Sequence, residues 1–131
     1  MITNRSMPPG VIIPELPYDD VNAAADWLCQ AFGFRKRLRI GNHRCQLSIG
    51  QGSIVVIERK ELGSSSVLVH VDNVDRHYER AKEFGARIIN PPIDYPFGER
   101  QYTAEDLGGH CWTFSQTITD IDPKSWGGEL V

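Results

Sequence analysis

Two stretches of the chain share one pattern of apolar and polar positions. "LPYDDVNAAADWLCQAFGFRKRL" and "VHVDNVDRHYERAKEFGARII" each run from a strand end through an Asp/Asn pair and a valine into an amphipathic helix. Each then passes through Phe-Gly into a second strand. Asp20 corresponds to Asn73 and Val21 to Val74 at the same offset, while Gly33 and Gly85 correspond at an offset one residue shorter. The residue types suit helix ends. An Asp or Asn side chain accepts from unpaired N–H groups at the start, and glycine takes the left-handed conformation at the end. Two copies are too few for a solenoid.

Three strand-like runs follow each helix. In the first half they fall at 35–40, 43–49 and 54–59, separated by the turns "GNH" and "GQG". In the second they fall at 87–90, 100–105 and 111–117, with "NPPIDYPFGE" as a long loop and "EDLGG" as a tight turn. The chain therefore reads as βαβββ twice. Module one spans about 11–60, module two about 65–117, and a tail covers 118–131, all within a single α+β domain. The prediction is a curved mixed sheet with the helices on its outer face. Alternation assigns Val67, Val69, Val71, Val55, Ile57, Trp112 and Phe114 to the helix-covered side. The same alternation turns Ser66, His70, Thr113, Ser115 and Glu58 to the opposite side. There a mixed apolar and polar face suits a small molecule. Trp27 on the first helix is expected to pack on the sheet.

Composition narrows the function classes. A formal net charge of −3 gives no electrostatic footprint for nucleic acid, and the basic run "FGFRKRLRIGNHR" reads as a solvated face. No apolar run reaches the roughly 20 residues that span a bilayer, and "MITNRSMPPG" lacks a signal peptide's apolar core. Cys29, Cys45 and Cys111 are odd in number and lie in apolar contexts, which points to reduced thiols in a cytoplasm. No C-x-x-C or C-x-x-H spacing offers a structural zinc site. No Gly-x-Ser-x-Gly elbow or phosphate loop occurs, and "IGQGS" reads as a hairpin turn.

The paired βαβββ units, with "PYDDVNAAADWLCQAFGF", "VDNVDRHYERAKEFGARI" and "FGERQYTAEDLGGHCWTF", resemble the vicinal oxygen chelate superfamily. That group includes glyoxalase I, bleomycin resistance proteins and extradiol dioxygenases. The resemblance covers about residues 11–117, with Leu107 where the superfamily's usual turn has proline. It implies a divalent metal held by His, Gln or Glu from the first strand of each half and the final strand. Carried onto this sequence, those positions are Ile13, Ser66 and Thr113, none of which is a good ligand. His70 lies four residues beyond Ser66 on the same face, about 13 Å along the strand. A displaced cluster of Glu15, Glu58 and His70 is the remaining way to build a metal site.

The resemblance therefore implies a protein without cofactor or metal that binds and sequesters a small drug-like or peptide-like molecule, as bleomycin resistance proteins do at a dimer interface. A homodimer is expected. The alternative is a metal-dependent glyoxalase-like lyase or isomerase, or a dioxygenase, with a rearranged site and Glu15 or His70 as general base. The candidate ligand contacts are Glu15, Glu58, Ser66, His70, Tyr95, Phe97, Arg100, Thr113 and Trp126. Several keep two readings. His70 is a ligand contact or a hydrogen-bonded core histidine. Arg100 holds an anionic group or pairs with Glu105 or Asp106. Tyr95 and Phe97 line a cavity mouth or anchor their loop. Trp126 covers the cavity or a partner subunit, or docks on the surface.

Overall fold

The computed structural model describes residues 4, 6, 8–10, 12–59, 65–127 and 130. The element order is β1 (Glu15–Tyr18), α1 (Val21–Phe32), β2 (Arg35–Ile40), β3 (Arg44–Ile49), β4 (Gly52–Glu58), β5 (Ser66–His70), α2 (Val74–Glu83), β6 (Arg87–Asp94), β7 (Glu99–Glu105) and β8 (Cys111–Thr117). A 3-10 turn at Pro123–Trp126 follows in the tail. The fold class is α+β, with two βαβββ modules. The strand orders β1-β4-β3-β2 and β5-β8-β7-β6 are the same order in each half. In both, the strand before the helix pairs parallel with the last strand, and the other pairings are antiparallel.

Both helix starts form as the sequence requires. Asp20 accepts from Ala23 N and Asn73 from Arg76 N, each at 3.0 Å. Gly33 (φ 82°) and Gly85 (φ 85°) carry the left-handed turn that ends each helix. α1 buries Val21, Ala24, Ala25, Leu28, Ala31 and Phe32, whereas α2 buries only Val74 and Ala81. Contacts divide the chain into two compact units, residues 1–65 with 107–109, and 66–106 with 110–131.

Three expectations need correction. β6 does not stop at residue 90 but continues through Pro91 and Pro92 to Asp94. It is an edge strand, where a missing N–H breaks no ladder, and irregular register on both sides of Asn90 absorbs the prolines. Val55 and Ile57 do not face the helix. Val56 pairs with Leu16 and Cys45, all buried, and Leu28 of α1 is buried with them. Val55 instead shares a face with Glu15 and Gln46. Glu58, opposite Tyr18, consequently falls on the helix side at the exposed end of β4. A slip of one residue in a period-two pattern moves every side chain to the other face.

Candidate functional site

The side of the second sheet away from α2 carries the candidate site. Register places Leu68, Thr113 and Thr103 in one row, and His70, Ser115 and Gln101 in the next. The other parity, Val67, Val69, Trp112, Phe114, Tyr102 and Ala104, packs toward α2. That packed side is aromatic. The His77 ring lies 4.0 Å from Phe114 and hydrogen-bonds the Tyr102 hydroxyl, whose pKa burial pushes up. Trp112 donates through Nε1 to Asp106 at 2.8 Å, and Asp106 also accepts from His110 N at 3.0 Å. Asp106 thus fixes the turn between β7 and β8.

On the open side the polar groups are linked. Thr103 and Thr113 join through their hydroxyls at 2.9 Å. Gln101 Nε2 donates to Ser115 Oγ at 3.0 Å, and Ser115 Oγ donates to Glu99 at 2.6 Å. Hydrogen bonds from Ser115 and then Thr117 hold the Glu99 carboxyl below its usual pKa, with nearby His70 adding to the shift. His70 and Ser66 are exposed, and Leu68 shows 66% of its surface. At the same end, Tyr95 N donates to Glu99 O. Tyr95 stacks on Phe97 at 5.4 Å, and Phe97 meets Trp126 at 5.6 Å. Gly98 holds this corner. A Cβ there would stand 2.3 Å from Thr119 O, and Ile118 N donates to Gly98 O.

Of the expected contacts, Ser66, His70 and Thr113 therefore share one open face. Tyr95, Phe97 and Trp126 form one aromatic group at its end. Gly128, one of two glycines after Trp126, lies outside the described residues. Arg100 sits on the helix side, where its guanidinium engages Asp75 and Asp94, each at 3.0 Å. The ion pairs therefore run to Asp75 and Asp94 in place of the expected Glu105 or Asp106, and Glu105 pairs with Arg87 instead. The Arg100 pKa is raised, first by Asp75 and then by Asp94. Glu58 is off the open face altogether. Glu15 is on the first sheet's open face and is ion-paired with Arg44. The sequence reading missed Glu99 and Gln101. Their signal was the alternation Glu99, Gln101, Thr103 against Arg100, Tyr102, Ala104.

The first sheet's corresponding face looks different. Gln46 and Val55 occupy the row that Thr103 and Thr113 fill in the second, and Ser53 lies one row further on β4. All three are buried, at 5%, 4% and 6% exposure. Gln46 Nε2 donates to Ser6 O at 2.8 Å and Ser53 Oγ to Pro9 O at 2.6 Å, so the backbone at Ser6 and Pro9 lies against this face.

A sequence model of the glyoxalase/bleomycin resistance protein/dioxygenase superfamily matches residues 11–114. The chain belongs to this superfamily. TioX from Micromonospora sp. ML1 superposes with a TM-score of 0.76 at 36% identity, over 83% of this chain and 99% of that one. Lactoylglutathione lyase from Agrobacterium tumefaciens superposes with a TM-score of 0.70 at 17% identity, over 92% and 98%, a likeness of fold alone. Uncharacterized proteins of Mycobacterium bovis and Mycobacterium tuberculosis are 30% identical over 63 residues, 47% of this chain. The match spans less than half the length of these curated relatives, 41% and 37%.

The metal that the superfamily implies does not fit the residues present. Ser66 and Thr113 offer only hydroxyls, Thr113 is already bonded to Thr103, and Ile13 has no donor. Glu15 and Glu58 have opposite parity in the first sheet, so they cannot join a displaced cluster there. Among the described residues, no three His, Cys, Asp or Glu side chains gather to hold a metal ion. None of the helices described is long and apolar enough to cross a membrane.

Proposed function

We propose that this chain binds and sequesters a small organic molecule, drug-like or peptide-like, on the open face of the second sheet. The supporting observation is that face itself, where a hydrogen-bonded polar strip (Gln101, Ser115, Glu99) runs beside exposed Leu68 and His70. The Tyr95, Phe97 and Trp126 rings stand at its end. Apolar contact and ring stacking supply affinity, while the oriented carboxylate, hydroxyls and imidazole set ligand orientation. Ser115 accepts from Gln101 and donates to Glu99, so the buried hydroxyl orients the strip from within. We further propose a homodimer and a cytoplasmic site of action.

A thermal-shift screen of aromatic and peptide-like compounds, with and without divalent metals, tests the reading. A binder at a hundredfold excess over Kd should add about 2.7 kcal/mol of apparent stability regardless of metal. Stabilisation that requires a metal would favour the lyase, isomerase or dioxygenase reading instead. Sedimentation at micromolar concentration tests the dimer, which a monomer would refute.

A further inference from the structure

The first sheet poses a separate question: what its open face is built to hold. Gln46 and Ser53 are buried polar side chains whose donors both point at main-chain carbonyls of one short segment, Ser6 O and Pro9 O. Gln46 is oriented in turn, because its Oε1 accepts from Arg37 Nη1 at 2.6 Å. Pro8 of the segment is buried. Proline suits such a contact, since it has no N–H to leave unpaired and its φ is already fixed. Gly10 ends the segment with φ 124°, a value open to glycine that lets the chain turn toward β1. No ladder hydrogen bonds join the segment to the sheet among those described, so its recognition rests on side-chain donors reading backbone carbonyls.

We infer that the first sheet's open face is a binding face for short proline-containing peptides, occupied by the chain's own Ser6, Pro8, Pro9 and Gly10 as a displaceable tethered occupant. A peptide offering carbonyls at the same separation competes for it. Its apparent affinity is the intrinsic one multiplied by the fraction of chains whose segment is displaced.

The test uses the full chain and a fluorescent peptide of residues 4–10, NRSMPPG. Gly10→Pro cannot adopt the observed φ and should release the tethered segment while leaving the face intact. This variant should bind the peptide at least about tenfold more tightly than the parent chain. Adding Gln46→Ala to it should weaken binding about three- to tenfold, the loss expected for one hydrogen bond. Equal binding by parent and Gly10→Pro, or no effect of Gln46→Ala, would overturn the inference. Should Gly10→Pro not fold, amide hydrogen exchange at Ser6 and Gly10 decides. It should be faster in full-length Gln46→Ala than in the parent, and an unchanged rate would overturn the inference.

Discussion

The two modules share a backbone plan and differ on the face each turns away from its helix. In the first, Glu15 is ion-paired with Arg44, and Gln46 and Ser53 are bonded to a peptide segment. In the second, the corresponding side carries exposed Ser66, Leu68 and His70 and an internally bonded polar strip. The helix-covered sides differ less in kind, because the buried centre of each is built mainly of apolar and aromatic side chains. Even there the volumes are redistributed. Leu47 faces Ile54 in the first sheet, where Ala104 faces Trp112 in the second. A duplicated architecture therefore constrains the ladder and the packed side, and leaves the open side free to take different chemistry.

The largest test of that contrast is Trp112→Ala. The second unit places one large ring where the first has Ile54, and α2 buries only two residues beside it. Trp112 is fully buried and also occupies one oxygen of Asp106. Its loss should cost about 3–5 kcal/mol. Urea unfolding followed by far-UV circular dichroism measures it, and a cost below about 1 kcal/mol would break the contrast between the two cores.

Much of this contrast is present in the sequence. The paired Asp20/Asn73 and Gly33/Gly85 signals mark both helices, and their chemistry is local, so no tertiary knowledge is needed to read it. Ser66, His70 and Thr113 were also legible, because β5 and β8 alternate cleanly. Val55, Ile57 and Glu58 were not. "SIVVIE" is apolar on both faces, and only pairing with β1 and β3 shows which parity meets the helix. Arg100 was hidden for a different reason. Asp75 and Asp94 come from a helix and an edge strand, and their meeting is a product of the fold. Strand β6 was cut short because Pro91 and Pro92 read as a loop until its edge position is known.

The caps sharpen the comparison at the next level. Asp20→Ala and Asn73→Ala each remove one side-chain bond to a helix N–H and should cost about 1 kcal/mol. The local consequence should differ, since α1 is anchored by six buried residues and α2 by two. Hydrogen exchange should therefore rise more along α2 in Asn73→Ala than along α1 in Asp20→Ala. Equal increases would show that burial does not set the difference.

Glu99 gives a smaller, pH-dependent effect confined to the second unit. Its folded pKa lies below the ordinary carboxylate value, first through Ser115 and then through Thr117. The unfolded chain therefore binds the proton more readily. The stabilisation is fully present above the ordinary carboxylate pKa and is lost as pH falls through the folded value. Glu99→Gln should thus lower Tm at neutral pH, and the gap to the parent should close in acid, below about pH 4. Partial solvation of the carboxylate keeps the effect under about 1 kcal/mol. A gap independent of pH would assign the effect to packing.

The smallest expected change in stability is at His70, where the contrast becomes functional. The same row on the first sheet holds Pro17 opposite Ile57, whereas His70 stands opposite Ser115. The imidazole is exposed, so the core reading of this residue fails on burial, and His70→Ala should move stability by no more than about 0.5 kcal/mol. Only the nearby Glu99 carboxylate is in its electrostatic reach among the interactions described, and that contact too is solvated. Ligand affinity should fall nonetheless if the open face of the second sheet is the binding surface. Titration of a screened ligand against parent and His70→Ala separates the two quantities. Unchanged affinity would remove His70 from the site. Loss of affinity with an unchanged melting temperature would identify it as a contact whose role is recognition alone.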